Sequence, residues 1–95
     1  MTFEIEMTQA AIAEYEAAYN WLVEQTPQHA PIWYNGVRDA LLSLGENPAR
    51  CPKSDPHGDM RYLLFGDKRH AYKIHFKIRG GTVYVYSICH AARNK

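Results

Sequence analysis

The stretch YKIHFKIRGGTVYVYSICH, residues 72–90, determines the expected fold of this chain. Apolar and polar residues alternate on both sides of Gly80-Gly81, which is the period of two half-buried strands. Two adjacent glycines fit a two-residue turn of the primed type, in which both positions are expected to take positive φ. The stretch therefore predicts a β-hairpin.

The turn also predicts the register of the hairpin, and directly opposed residues share a face. The expected pairs are Arg79–Thr82, Ile78–Val83, Lys77–Tyr84, His75–Tyr86, Lys73–Ile88 and Ala71–His90. The face expected to pack on the core holds Tyr72, Ile74, Phe76, Ile78, Val83, Val85, Ser87 and Cys89. The face expected to point away from it holds Arg69, Lys73, His75, Lys77, Arg79, Tyr84, Tyr86, Ile88 and His90.

The second of these hairpin faces carries no acidic side chain. Protein surfaces usually intersperse both signs of charge, and cations interleaved with aromatic rings are what phosphates and unstacked bases need. A solvated sheet face is the alternative, because lysine and tyrosine are common there as well. The pattern favours contact with a negatively charged partner.

The first half of the chain predicts a strand followed by two helices. TFEIEM, residues 2–7, alternates as a half-buried strand. Thr8 is a suitable N-cap for a helix over residues 9–25, where helix-forming residues dominate. Two prolines then break the chain, and a second helix is expected from about Pro31 to Leu44.

The second half predicts three strands after a loop. Residues 46–59 form the loop, with three prolines and a glycine, and MRYLLF, residues 60–65, precedes the hairpin. The order β-α-α-β-β-β predicts an α+β fold, namely an antiparallel four-stranded sheet with an N-terminal helical hairpin on one face. The 95 residues are expected to form a single domain.

Composition and charge narrow the classes of function. With 46% hydrophobic and 22% charged residues, the chain is typical of a soluble globular protein. It has no membrane-spanning run and no secretion signal, so the cytoplasm is the expected compartment. Residues 1–59 hold three basic and nine acidic side chains, a net charge of −6, whereas residues 60–95 hold eight basic and one acidic, a net charge of +7. This asymmetry favours an anionic partner for the C-terminal part, unless the two halves only neutralise each other.

If the negatively charged partner is RNA, the histidines on the polar hairpin face are candidates for acid–base chemistry. Cleavage by a 2′-hydroxyl group needs a base, an acid and cations for the phosphate, and histidine suits either proton role. His75 and His90 are the candidates for proton transfer, about 13 Å apart along the strands. Arg69 and Lys73 are candidates for charge stabilisation, and Tyr84 and Tyr86 could stack on bases.

No metal or cofactor site is expected from the residue spacing. The histidines and cysteines have no zinc-ligand spacing, and the loop DPHGD, residues 55–59, lacks the oxygen pattern of a calcium site. Cys51 and Cys89 also lack CxxC spacing. Cys89 is expected to be a buried free thiol in a strand.

The segment from Arg61 to Arg93 resembles the RelE/ParE superfamily of bacterial toxins. The matching features are MRYLLFG, YKIHFKI, a tight turn, TVYVYSI and the closing HAAR. The preceding strand–helix–helix order and the chain length also agree. This resemblance implies a cytoplasmic growth-inhibiting toxin of a toxin–antitoxin pair, neutralised by a cognate antitoxin, as a homodimer or a toxin–antitoxin hetero-oligomer.

Two kinds of target follow from the resemblance. RelE-like members cut mRNA on the ribosome without a metal, and ParE-like members inhibit DNA gyrase without catalysis. Lys73 matches an arginine of the RNA-cutting members, Arg61 and Arg93 match recurrent basic positions, and His90 lies near an acid–base histidine of some members. Together, the resemblance and the residues of the polar hairpin face give two sets of candidates. The catalytic candidates are Lys73, His90, Arg93 and Arg69, and the nucleic-acid-binding candidates are Arg61, His75, Lys77, Tyr84 and Tyr86.

This chain departs from the best-known RNA-cutting member at two points. Lysine replaces arginine at position 73, and the chain ends at Lys95 without a longer tail that carries a catalytic tyrosine. These departures favour the gyrase-type alternative. A third reading is an inert relative that binds only its antitoxin or RNA.

Overall fold

The computed structural model describes residues 2–66 and 71–91. They form two α-helices, a short 3-10 helix and four strands: β1 (Glu4–Met7), α1 (Gln9–Gln25), α2 (Ala30–Ser43), the 3-10 helix (Pro48–Arg50), β2 (Arg61–Phe65), β3 (Tyr72–Arg79) and β4 (Thr82–His90). The bounds of α1 match the prediction, and α2 begins and ends within one residue of it. The Thr8 hydroxyl caps α1 by accepting a hydrogen bond from Ala11 N at 3.1 Å.

The four strands form one sheet in the order β1-β4-β3-β2. The predicted α+β class, with four strands and two helices, is confirmed. The prediction of a purely antiparallel sheet is wrong, because β1 runs parallel to β4. Both helices and the strands β2 and β3 separate these two strands in the sequence, so no tight turn forces them to run in opposite directions.

The pairing of β3 with β4 follows the predicted register only near the turn. Positive φ occurs at Gly80 (59°) but not at Gly81, which differs from the predicted turn with two such residues. The register then shifts between Phe76 and His75. Phe76 lies opposite Val85 and His75 opposite Ser87, so one residue of β4, Tyr86, is left over as a β-bulge.

Beyond the bulge, the predicted pairs and faces of β4 are wrong. Lys73 lies opposite Cys89, and Tyr72 lies opposite His90. Ile88 is buried in the core instead of lying on the polar face. Ser87 and Cys89 lie on the polar face instead of the core face.

We call the side of the sheet away from the helices the open face. The register places thirteen described residues on it: Glu4, Glu6, Tyr62, Leu64, Lys73, His75, Lys77, Arg79, Thr82, Tyr84, Tyr86, Ser87 and Cys89.

The core lies between the other side of the sheet and the two helices. Its side chains come from every layer of the fold and include Ala11, Tyr15, Val37, Leu41, Leu44, Ile74, Phe76, Val83, Val85 and Ile88. Phe76 is the largest of the fully buried side chains. The Tyr15 hydroxyl donates a hydrogen bond to Tyr34 O at 2.5 Å and so joins α1 to α2.

Beyond the end of β1, the side chain of Glu14 on α1 accepts a backbone hydrogen bond from the edge of β4. Just after β1, Thr8 donates from its backbone N to Val85 O at 2.9 Å and from its hydroxyl to Tyr86 O at 3.4 Å. Farther along β4, Ile88 N donates to Glu14 Oε1 at 3.0 Å. A carboxylate thus satisfies a backbone donor that would otherwise lack a partner at the sheet edge.

We expect Phe76→Ala to lower the free energy of unfolding by about 3–5 kcal/mol, because it opens a cavity in the core. Leu64→Ala is the matched control, since Leu64 lies on the neighbouring strand but is 53% exposed. Its effect should be about 0.5 kcal/mol or less. Urea denaturation followed by circular dichroism measures both, and equal losses would contradict the placement of the core.

Candidate nucleic-acid interface

Two lysine–tyrosine pairs lie on the open face, one toward each end of β3. Lys73 Nζ is 4.8 Å from the centroid of the Tyr62 ring. Lys77 Nζ is 5.6 Å from the centroid of the Tyr86 ring. Both distances are within the range of a cation–π interaction. The tyrosines therefore hold the two ammonium groups above the sheet, where an anion can reach them.

Tyr62 is a member of this face that the sequence reasoning missed. It lies opposite His75 in the β2–β3 ladder, and the two ring centroids are 6.3 Å apart. The signal was present in the alternation of MRYLLF, since a strand beside β3 must contribute every second side chain to the same face.

His75 lies between the two lysines on β3. Burial lowers the pKa of its imidazole below the ordinary 6.5, and the positive charge of Lys73 lowers it further. The carboxylate of Glu14 acts in the opposite direction. At neutral pH the imidazole is therefore uncharged and able to accept a proton.

His90 lies on the other side of the sheet from Lys73, so the prediction that they share a face is wrong. The bulge at Tyr86 causes this, because one extra residue reverses the alternation that follows. The His90 ring packs edge-on against Tyr72, with centroids 5.2 Å apart. Tyr72 in turn contacts Trp33 at 5.1 Å. His90 thus belongs to an aromatic cluster under the helices.

Arg61 also lies on the helix side of the sheet, opposite Phe76 in the ladder. Its Nη1 donates hydrogen bonds to Ala49 O at 3.2 Å and to Cys51 O at 2.5 Å. These bonds tie the 3-10 helix and the residue that follows it to the start of β2. The guanidinium group is engaged with backbone carbonyls, and its predicted contact with nucleic acid stays a prediction.

The other two predicted arginines, Arg69 and Arg93, lie outside the described residues. Of the remaining candidates, the structure brings together five on the open face: Lys73, His75, Lys77, Tyr84 and Tyr86.

Acidic side chains reach the open face from two directions, so the face is less uniformly basic than the hairpin alone indicates. Glu4 and Glu6 of β1 lie on it, Glu6 opposite Tyr84. Asp59, from the segment before β2, forms ion pairs with Arg79 and Lys77. Among residues 2–66 and 71–91, the part of the open face without an acidic side chain is therefore limited to the surroundings of Lys73 and His75.

Both cysteines are free thiols. Cys51 is buried in the core, and burial raises its pKa. Cys89 is only partly buried and lies opposite Lys73 on the open face, so its predicted place on the core face is wrong. In residues 2–66 and 71–91, no group of three or more histidine, cysteine, aspartate or glutamate side chains is arranged to hold a metal ion.

The family of the chain follows from comparisons with known proteins. Residues 5–95 match the family described as the ParE toxin of the type II toxin–antitoxin system parDE. Over its whole length, the chain is 30% identical to toxin RelE1 of Caulobacter vibrioides, and the match covers 100% of both proteins. The chain is a toxin of a type II toxin–antitoxin system. It belongs to the RelE/ParE superfamily, and such membership implies a cognate antitoxin.

Solved structures agree on the fold. The chain is similar to the chromosomal ParDE system from P. aeruginosa, with a TM-score of 0.77 and 16% identity over 94% of this chain and 96% of the other. It is also similar to a mutant of E. coli toxin RelE in the free state, with a TM-score of 0.65 and 16% identity over 99% and 88% of the two chains. Neither helix within the described residues is long and apolar enough to cross a bilayer.

We expect the pKa of His75, measured by NMR titration, to lie below 6.5. Lys73→Ala should raise this pKa, because it removes a positive charge that disfavours the imidazolium. Glu14→Gln should lower the pKa further, since it removes the opposing negative charge and keeps a carbonyl oxygen for Ile88 N. Shifts of the same sign in both variants would contradict the placement of His75.

Arg61→Ala should lower the free energy of unfolding by about 1–3 kcal/mol, because two backbone carbonyls lose their donor. Arg38→Ala is the control, because Arg38 is exposed on α2 and its substitution also removes one positive charge. Thermal and urea unfolding measure the difference. A stable Arg61→Ala protein with selectively weakened RNA binding would instead assign Arg61 to the interface.

Proposed function

We propose that this toxin is a metal-independent endoribonuclease that cuts mRNA on the ribosome through the open face. One observation carries the proposal: the half-buried imidazole of His75 lies between two lysines, each of which lies over a tyrosine ring. These groups match the needs of an RNA strand, namely cations for the phosphates, a base for the ribose and rings for the nucleobases.

His75 and Lys73 divide the proton transfers of the reaction. They lie two residues apart on one face of β3, about 7 Å along the strand, which leaves room for a phosphate between them. His75 takes the proton of the 2′-hydroxyl group, the 2′-oxygen attacks phosphorus, and the bond from phosphorus to the 5′-oxygen breaks. Lys73 gives a proton to that oxygen and stabilises the charge on the phosphate. The products are a 2′,3′-cyclic phosphate and a 5′-hydroxyl end.

Tyr62 and Tyr86 flank the reacting groups and offer faces on which bases can stack. Lysine at position 73 is a point charge without the fork of arginine, so we infer that the Tyr62 ring gives the ammonium group the direction that its own chemistry lacks. His90 does not take part in this scheme, since its ring packs in the aromatic cluster.

The cognate antitoxin is expected to silence this surface. A segment with acidic and apolar side chains would neutralise the lysines and cover the exposed Tyr86. The complex would then be a toxin–antitoxin hetero-oligomer in the cytoplasm.

Inhibition of DNA gyrase without catalysis is the second candidate. Two observations favour it: the match to the ParE family, and the position of His90, which removes one of two predicted proton-transfer groups from the open face. In this case the target would contact the lysines without any proton transfer by His75.

Induced expression in bacteria separates the two candidates. His75→Ala and Lys73→Ala should each reduce mRNA cleavage by about 100-fold or more, because each removes an acid–base group. Arg38→Ala should cut as the unaltered toxin does. Primer extension on cellular mRNA measures cleavage, and the supercoiling of a reporter plasmid is measured in the same cells. Intact mRNA together with relaxed plasmid would reject cleavage and establish the gyrase candidate.

A further inference from the structure

Asp59 occupies the turn end of the open face in a way that matches a bound anion. Its Oδ2 is 2.6 Å from Arg79 Nη2, and its Oδ1 is 3.7 Å from Lys77 Nζ. The two cations lie two residues apart on β3, on the same face. One carboxylate thus bridges a guanidinium and an ammonium group, an arrangement that also suits a phosphate.

The carboxylate is charged and easily displaced. The hydrogen bond from Arg79 lowers the pKa of Asp59, so the group stays ionised at neutral pH. The side chains of Asp59 and Arg79 are 52% and 53% exposed. Solvent therefore screens their attraction, and ion pairs of this kind are weak.

The backbone beside Asp59 is fixed, so release needs only a rotation of the side chain. Ser54 donates to Met60 O from its backbone N at 2.8 Å and from its hydroxyl at 3.2 Å. Tyr62 N donates to Pro52 O at 3.1 Å. These bonds join residues 52–54 to residues 60–62 and so fix the backbone next to Asp59.

We propose that Lys77 and Arg79 form a phosphodiester subsite for RNA, and that Asp59 competes with the RNA for it. The subsite rests on the proposed function and extends the binding site along the RNA. Along β3, Lys77 is about 13 Å and Arg79 about 20 Å from Lys73. Tyr86 lies beneath Lys77 and provides a ring beside the subsite. Asp59 sets the affinity of this subsite and disfavours short or weakly bound RNA.

Charge-matched variants test the subsite. Asp59→Asn and Asp55→Asn each remove one negative charge from the same loop. Asp55 accepts a hydrogen bond from His57 N and forms no ion pair with any residue in the described ranges. The probe is a 12-nucleotide single-stranded RNA with an end label, and fluorescence anisotropy of the full-length toxin measures its affinity at several salt concentrations.

Asp59→Asn should bind the RNA about twofold to fivefold more tightly than the unaltered toxin. Its salt dependence should steepen by about 0.7 in the log–log slope, the value for one further phosphate contact on a single strand. Asp55→Asn should show a smaller gain and no change of slope. In the double variant Asp59→Asn/Arg79→Gln, the gain over Arg79→Gln alone should disappear. Equal effects of Asp59→Asn and Asp55→Asn, or no RNA binding at all, would overturn the subsite.

A second probe and a second readout separate the possible failures. A heptaglutamate peptide replaces the RNA in one series, and tighter binding of the peptide but not of the RNA would assign the pair to an acidic protein and overturn the proposal. RNA cleavage by the unaltered toxin is scored in parallel. Cleavage without an effect of Asp59→Asn rejects only the subsite, whereas tighter binding by Asp59→Asn without cleavage rejects only the nuclease and supports the subsite.

Discussion

The ladder between β3 and β4 determines which chemical groups share a surface in this toxin. Because Phe76 pairs with Val85 and His75 pairs with Ser87, Tyr86 is an extra residue in β4. A single unpaired residue reverses the alternation of every side chain after it. Ile88 therefore enters the core, and His90 packs against Tyr72 under the helices. Of the described histidines, only His75 lies with Lys73 on the open face.

The helices do more than cover the core. β1 ends at Met7 while β4 continues to His90, so among the described strands only β3 lies beside the far part of β4. The carboxylate of Glu14 accepts the hydrogen bond of Ile88 N at this edge. The same carboxylate raises the pKa of His75, which burial and Lys73 lower. One side chain of α1 thus stabilises the sheet edge and tunes the candidate base on the opposite face.

Most of the fold could be predicted because local signals were strong. The helix-forming run after Thr8 predicted α1 residue for residue, and the paired glycines predicted the β-hairpin. The parallel pairing of β1 could not be predicted, since alternation within a strand does not encode the direction of its neighbour. The hydrogen bonds of Arg61 to Ala49 O and Cys51 O could not be predicted either, because no local pattern indicates which carbonyl groups a side chain will reach. The bulge was nevertheless visible in the sequence. The aliphatic residues Val83 and Val85 are two positions apart, whereas Val85 and Ile88 are three positions apart, and all three are buried.

The bulge at Tyr86 also has a consequence for reading homologous sequences. An alignment without a gap equates positions on β4 one by one, yet a relative that lacks the extra residue would display its equivalent of His90 on the opposite surface. Identical residues at aligned positions of β4 would then have different roles in the two proteins. Within this superfamily, a histidine near the end of β4 indicates a catalytic role only when its distance in residues from the hairpin turn is compared between the proteins as well.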